Sequence, residues 1–159
     1  MPSGGCFCGN VRISYQGEPK RKVRARPFYT TSFVSSKKAN IRATQALCHC
    51  VDCRKISGST YSTNILVAEN DFTVSGSPKQ ISTTGENGNM ITSYFCGDCG
   101  STLWREGVGF PGLKIIKAGV MDDLYGLDNA KPEIEYYSER RVAWVPQIPG
   151  SDGMLKMGA

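Results

Sequence analysis

Seven cysteines and a single histidine stand out in this chain of 159 residues. Because seven is an odd number, intramolecular disulfides cannot pair them all. The cysteines fall into three tight groups, a spacing that more often serves metal binding or chemistry in a reducing compartment. The groups are Cys6 and Cys8, then Cys48, Cys50 and Cys53, and finally Cys96 and Cys99.

The first and last groups are pairs with the spacing of metal ligands. In an extended strand, residues i and i+2 project to the same face, so Cys6 and Cys8 can reach one ion. Cys96 and Cys99 frame a two-residue turn whose neighbouring glycines let backbone N–H groups point at the sulfurs. Four thiolates complete a tetrahedral structural zinc site. The two pairs therefore predict a structural zinc, and the alternative is a set of buried or redox-active thiols without a metal.

The middle group offers three thiols, and three protein ligands leave the fourth position of a catalytic zinc open. Cys48 and Cys50 share one face of an extended segment, and Cys53 joins them if the chain turns into a helix after Cys50. On the same alternation His49 points away, which predicts packing or a hydrogen bond rather than the alternative Cys3His site. A thiolate-rich ion favours a thiol as its fourth ligand. We therefore predict a catalytic zinc on the three cysteines.

Short segments rich in β-branched and aromatic residues surround these cysteines, separated by glycine and proline turns. No window has a long amphipathic helical pattern, so the sequence predicts an all-β domain over residues 1–145. Two brief helical turns are expected, one after Cys53 and one near Asp122. Residues 146–159 are predicted to be an irregular tail. Four aromatic residues either line a pocket or, as is commoner on strands, fill the core: Trp104, Tyr136, Tyr137 and Trp144.

Charge is unevenly distributed along the chain. The formal net charge is +5, yet residues 20–45 contain eight basic residues and no acid, which leaves eleven basic against fourteen acidic residues elsewhere. A charge run of this kind is usually solvated, and the alternative is a basic arm that contacts nucleic acid or an acidic partner. Nucleic acid is not favoured, because the rest of the chain is mildly acidic. The codons of this atypical insertion would also fit a translated retained intron, which comparison of genomic and transcript sequences decides.

No apolar run approaches the roughly 18 residues of a membrane span. The first residues lack the basic and apolar regions of a secretory signal. We therefore expect a cytoplasmic protein with no membrane partner, and homo-oligomerisation is left open.

The cysteine-bearing segments resemble the glutathione-dependent formaldehyde-activating enzyme family, which includes centromere protein V. The resemblance rests on GGCFCGNV at 4–11, CHCVDCRK at 48–55 and FCGDCGS at 95–101, and it extends over residues 4–18 and 46–145. It implies a β-tent fold of antiparallel sheets, with a structural zinc on the four paired cysteines and a second zinc on the middle three. The connection between Cys8 and Cys48 is longer than the family usually has, by roughly twenty residues, and long loops are uncommon in compact domains.

The resemblance also implies condensation of formaldehyde with glutathione to S-hydroxymethylglutathione, a carbon–sulfur lyase activity. One fold hosts many chemistries, so we expect a lyase-like enzyme whose substrate is the adduct of a thiol with a small electrophile. The thiol is glutathione, the expected cosubstrate, or another thiol. The alternatives are a non-catalytic zinc-stabilised binding module and thiol-based redox sensing.

Substrate carboxylates have candidate ligands directly after the middle cysteines. Arg54, Lys55, Ser57 and Gly58 are predicted to bind them, although charged residues at such positions are often solvated and the Ser-Gly-Ser turn also suits a helix end. Asp52 and Asp98 lie inside the cysteine loops and are expected to cap or solubilise them. No acid is assigned as a general base.

Overall fold

Two β-sheets form the part of the chain that the computed structural model describes, residues 1–16, 44–129 and 131–155. The strands are, in chain order, β1 (Ser3–Gly5), β2 (Arg12–Tyr15), β3 (Thr44–Cys48), β4 (Ser62–Ala68), β5 (Phe72–Ser75), β6 (Lys79–Thr84), β7 (Met90–Phe95), β8 (Thr102–Gly107), β9 (Leu113–Lys117), β10 (Ile134–Tyr136) and β11 (Asp152–Met154). The smaller sheet has the order β1-β2-β5 and the larger sheet the order β11-β10-β3-β4-β9-β8-β7-β6. This architecture confirms the predicted all-β class.

Strand β10 departs from the expected antiparallel pairing. It runs parallel to β3 and to β11, whereas the other paired strands of the described residues are antiparallel. Parallel neighbours need a crossover connection instead of a hairpin. The chain returns beside β3 only after completing β4 to β9, and residues 137–151 carry it back before β11. Cys48 thereby lies opposite Tyr136.

The segment predicted as an irregular tail is partly ordered as a strand. Residues 152–154 form β11, which extends the larger sheet by pairing with β10. Three residues of sequence Asp-Gly-Met carry no strand periodicity, so this pairing depends on the neighbouring strand. Residues 156–159 lie outside the described residues. So does the predicted basic insertion, except that its last two residues, 44 and 45, begin β3.

A hydrophobic core lies between the two sheets. Trp104 belongs to it, with its indole stacked on the Tyr94 ring at 4.5 Å between centroids and 6° between planes. The pairing of β7 with β8 shifts register at this point, so the consecutive residues Leu103 and Trp104 are both buried in the core. Of the four aromatic residues considered above, Trp104 therefore fills the core. Further buried members include Ile13, Tyr15, Ile65, Val67 and Ile116.

The opposite face of the larger sheet carries buried polar residues. Side chains alternate along a strand, so while the paired Ile65 and Ile116 face the core, the paired Asn64 and Lys117 face the other side. Arg105 shares that second face, because its partner Ile115 lies two residues from Lys117. All three polar side chains are buried, so this face must be covered by other parts of the chain.

Two short α-helices lie where helical turns are predicted. Helix α1 (Val51–Ser57) begins two residues before Cys53 instead of after it, and α2 (Leu124–Asn129) follows Asp122 by two residues. Within the described residues, no helix has the length and apolar character needed to cross a membrane.

Candidate metal centres and the adjoining cleft

Two similar turns bring four sulfurs together at the junction of the sheets. The Cys6 Sγ lies 3.5 Å from the Cys8 Sγ, which lies 3.6 Å from the Cys96 Sγ, and the Cys99 Sγ is within 4.8 Å of all three. Sulfurs bound to one zinc at about 2.3 Å in a tetrahedron lie roughly 3.8 Å apart. The four predicted structural ligands therefore form a group that could hold one metal ion.

The backbone of both turns supports this arrangement. The N–H of Cys6 donates to the carbonyl of Val11, and the N–H of Cys96 donates to the carbonyl of Ser101, five residues on in each case. Gly9 and Gly100 have φ of 84° and 75°, in the left-handed region that favours glycine. The N–H of Val11 also points at the Cys6 Sγ at 3.2 Å. Such N–H contacts stabilise thiolate charge.

The proton affinities of these thiols depend strongly on one another. The hydroxyl and N–H of Ser101 lower the pKa of Cys99 to about 5. The N–H of Asn10 lowers the pKa of Cys8, but the three neighbouring sulfurs and burial together outweigh it and raise that pKa to about 12. Four sulfurs at these distances cannot all carry negative charge without a cation among them. The donor set consequently fits a divalent metal that accepts four thiolates.

The three middle cysteines form a second group on different elements. Cys48 ends β3, Cys50 precedes α1 and Cys53 lies in its first turn, with all three buried and their sulfurs within 4.8 Å of one another. The Cys50 Sγ caps the helix by accepting the N–H of Cys53 at 3.2 Å. Interaction with Cys48 and Cys50 lowers the pKa of Cys53 to about 3, while interaction with Cys50 and Cys53 raises the pKa of Cys48. This group too could hold a metal ion, with one ligand fewer.

His49 lies outside both sulfur groups, as the alternation predicts. Its imidazole is completely buried, and Nε2 is 3.2 Å from a carboxylate oxygen of Glu135 on β10. That carboxylate also accepts hydrogen bonds from the Ser151 hydroxyl, the N–H of Ile148 and the Arg141 guanidinium. Burial raises the pKa of Glu135, but these donors outweigh it and lower the pKa to about 2. The network therefore holds the segment between Cys48 and Cys50 against β10 and the C-terminal residues.

A cleft opens beside the second sulfur group. Its walls come from α1, the loop between β6 and β7, the start of the loop after β8, and Tyr136 and Tyr137. It has about 60 Å³ of space for water-sized molecules, enough for a few waters or for the small reacting end of a larger molecule, since one water needs about 10–15 Å³ on this measure. Two of the four aromatic residues considered above therefore line a pocket, whereas Trp144 is exposed and lies outside the cleft.

Polar contacts hold the β6–β7 loop over the cleft. The Asp52 carboxylate on α1 accepts the N–H of Glu86 at 2.8 Å. The Glu86 carboxylate forms an ion pair with Arg140, whose guanidinium lies 5.1 Å above the centre of the Tyr137 ring. Tyr137 has φ 55°, a left-handed conformation uncommon for a bulky residue. Asp52 thus joins the helix to the β6–β7 loop, and the cap of α1 is Cys50 instead of Asp52.

The cleft contains two buried cations that the sequence analysis did not select. The Arg105 Nη1 is 4.0 Å from the Cys53 Sγ, and its Nε donates to the Ser93 hydroxyl at 3.1 Å. The Lys117 Nζ donates to the Ser62 hydroxyl at 2.8 Å and to the Asn64 Oδ1 at 2.9 Å. Burial lowers the pKa of Lys117, while negative charge on Cys53 raises it. Their only sequence signal is a charged residue at an inward position of an apolar strand.

The structure does not bring the predicted substrate-binding residues into this cleft, since none of Arg54, Lys55, Ser57 and Gly58 lines it. The Ser57 hydroxyl donates to the Cys53 carbonyl at 2.7 Å, and Gly58, with φ 64°, ends α1 by donating its N–H to the Arg54 carbonyl. Lys55 is exposed. These positions match the helix-ending alternative, because α1 points them away from the sulfurs.

Comparison with known proteins agrees with these observations. No curated protein matches the sequence. The crystal structure of a Rhodobacter sphaeroides protein, a structural genomics target, is similar in fold, with a TM-score of 0.50 at 15% identity over 82% of this chain and 96% of that one. The family model of the glutathione-dependent formaldehyde-activating enzyme matches residues 32–140, which include the second sulfur group and Cys96 and Cys99 but not Cys6 and Cys8. As this match spans more than two thirds of the sequence, the chain belongs to the glutathione-dependent formaldehyde-activating enzyme family.

Proposed function

We propose that this chain is a zinc-dependent enzyme of the carbon–sulfur lyase type. Its substrate is an adduct of glutathione, or of another thiol, with a small electrophile such as formaldehyde. Cys6, Cys8 and the Cys96–Cys99 pair would hold a structural zinc, and Cys48, Cys50 and Cys53 a catalytic zinc. Family membership supports chemistry of this class, and the two sulfur groups supply its metal ligands.

The observation that carries the proposal is the unequal number of ligands in the two groups. Four sulfurs fill a tetrahedral site, whereas three sulfurs beside a cleft leave one position for a substrate. A zinc ion held by three thiolates supplies an open coordination position and favours the thiolate over the thiol form of a sulfur ligand. A site of this kind suits a thiol substrate better than an oxygen ligand.

The chain's own residues orient the substrate and limit its contact with water. Tyr136 and Tyr137 wall the cleft next to Cys48, and Phe110 lines it near the β6–β7 loop. The hydrogen bond from the N–H of Glu86 to Asp52 fixes that loop over the reacting end of the substrate. The helix cap on Cys50 holds two of the three ligands in register, because the same sulfur accepts the N–H of Cys53. The remainder of a peptide thiol would extend through the mouth of the cleft.

Metal analysis combined with an adduct assay tests the proposal. We expect two zinc ions per chain in the purified protein. Proton NMR should show adduct formation from glutathione and formaldehyde faster than without protein, and Cys53→Ser should abolish this acceleration. Cys8→Ser, in the other sulfur group, is the matched control, because it also removes one cysteine and one zinc. The fraction of Cys8→Ser protein that folds should still accelerate adduct formation. One zinc per chain, or equal rates with and without protein, would contradict the proposal.

Residues 20–43 of the predicted basic insertion lie outside the described residues. Its contact with nucleic acid or with an acidic partner therefore stays a prediction, as do homo-oligomerisation and a cytoplasmic location.

All seven cysteines are free thiols in the structure.

A further inference from the structure

We propose that Arg105 and Lys117 form an oxyanion-binding subsite beside the second sulfur group. This subsite binds an oxygen atom of the substrate. That oxygen is attached either to the carbon that carries the substrate sulfur or to the next carbon along. The inference rests on the proposed function and narrows its substrate class to small-electrophile adducts that place such an oxygen within reach of both cations.

The two cations share the floor of the cleft. They project from the same face of the larger sheet, from β8 and β9, and both line the cleft together with the three cysteines. Arg105 approaches Cys53 directly, at 4.0 Å from Nη1 to Sγ. Lys117 lines the same cleft as the three thiols, and its strand β9 pairs with β8, which carries Arg105. A sulfur bound at the cysteines therefore has cationic hydrogen-bond donors on one side.

Both cations keep N–H donors that no other described residue accepts. A lysine ammonium has three N–H donors, and within the described residues Lys117 spends two of them, on Ser62 and Asn64. A guanidinium has five, of which Arg105 uses Nε on Ser93 and directs one Nη1 donor toward Cys53. The remaining N–H groups belong to side chains that line the cleft, so a ligand oxygen can accept from them.

The two cations also lack carboxylate partners in the part of the chain that the structure describes. Neither Arg105 nor Lys117 forms an ion pair with a carboxylate among residues 1–16, 44–129 and 131–155. Asp52 is the one acid among the described residues that line the cleft, and it accepts the N–H of Glu86. A negative charge on a ligand oxygen would therefore meet no competing carboxylate of a described residue at these cations, and hydrogen bonds from cationic donors to a charged oxygen are strong.

The reaction creates such a charge on oxygen. When a thiolate adds to an aldehyde, the sulfur lone pair forms the S–C bond and the C=O π electrons move onto oxygen. That oxygen then takes up one proton, equal to the proton that the thiol released, and no oxidant or reductant is consumed. Cationic donors placed where negative charge develops stabilise the transition state. Arg105 and Lys117 line the cleft next to the second sulfur group, where this negative charge would move from the substrate sulfur to the oxygen.

Thiol binding tests the inference without turnover. The probes are mercaptoacetate, which carries an anionic oxygen near its sulfur, and propane-1-thiol, a neutral thiol of similar size that has no oxygen. Calorimetric titration of the zinc-loaded full chain should show mercaptoacetate binding at least about tenfold more tightly, because hydrogen bonds to a charged group are the stronger kind. Lys117→Met should reduce this preference several-fold while leaving the affinity for propane-1-thiol unchanged.

A matched control lies on the same strand. Lys114, which pairs with Glu106 outside the cleft, should keep the full preference when changed by Lys114→Met. Equal affinity of the two thiols for the unaltered protein would overturn the inference, and that measurement needs no variant to fold. Retention of the full preference by folded Lys117→Met would overturn it as well. If neither thiol binds, the proposed function itself fails and the inference fails with it.

Discussion

Glu135→Gln is expected to destabilise the fold and to change its response to acid. One oxygen of the Glu135 carboxylate accepts from the Ser151 hydroxyl at 2.7 Å and from the N–H of Ile148 at 2.9 Å. The other accepts from the Arg141 Nε at 3.1 Å and lies 3.2 Å from the His49 Nε2. A glutamine would turn an NH2 group toward two of these donors. The substitution therefore breaks a network and leaves a partly buried charge and buried donors without an acceptor.

The pKa of Glu135 sets the size of the effect. It falls from the usual 4.5 to about 2, and each pKa unit corresponds to about 1.4 kcal/mol, which makes about 3 kcal/mol in total. Because the folded pKa lies below the unfolded one, the carboxylate contributes this stability above about pH 4.5. The contribution is lost as the pH falls from there to about 2. Glu135→Gln should consequently lower the free energy of unfolding by about 3 kcal/mol at pH 7 and by much less near pH 2.

Urea unfolding followed by circular dichroism from pH 7 to pH 2 measures this. Acid also protonates the cysteines and releases any bound metal, so the informative quantity is the difference between variant and unaltered protein at each pH. Glu139→Gln is the control, since Glu139 is partly exposed and 3.7 Å from Arg140, and its difference should stay within about 0.5 kcal/mol throughout. A Glu135→Gln difference that is constant with pH would refute the assigned role of the carboxylate.

Three other changes have definite expected outcomes. Cys96→Ser should unfold the domain in thermal melts. Cys50→Ser should stay folded, because serine is a good N-cap for α1, but it should lose thiol turnover. An unfolded Cys50→Ser protein would contradict this difference between the two sulfur groups. Graded chelation should remove one zinc before secondary structure changes in circular dichroism and the second only with unfolding; simultaneous loss would show that both ions are structural. Trp104→Ala should lower stability by about 3–5 kcal/mol and the exposed Trp144→Ala by less than about 0.5 kcal/mol, and similar denaturation midpoints for the two would argue against the core position of Trp104.

The local features were predictable because they depend on near neighbours in the chain. The i, i+2 spacing of Cys48 and Cys50 and the helix at Cys53 place three sulfurs together with little help from the rest of the fold. The same alternation turns His49 away from them. Arg54 and Lys55 were predicted to bind substrate because they follow Cys53 directly in the sequence. Neither lines the cleft, because a helix directs successive side chains to different faces.

The amino-acid sequence by itself determined the β-rich class, the three closely spaced cysteine groups and the short helices, since all of these follow from patterns within a few residues. Only the tertiary structure decided that Arg105 and Lys117 lie on the cleft floor. A charged residue on a strand ordinarily faces solvent, and its inward position here comes from strand register and from the covering of that face by α1 and the β6–β7 loop. The parallel position of β10, which brings Glu135 to His49, likewise depends on distant pairing. Contacts between distant segments leave no periodic signal in either segment alone.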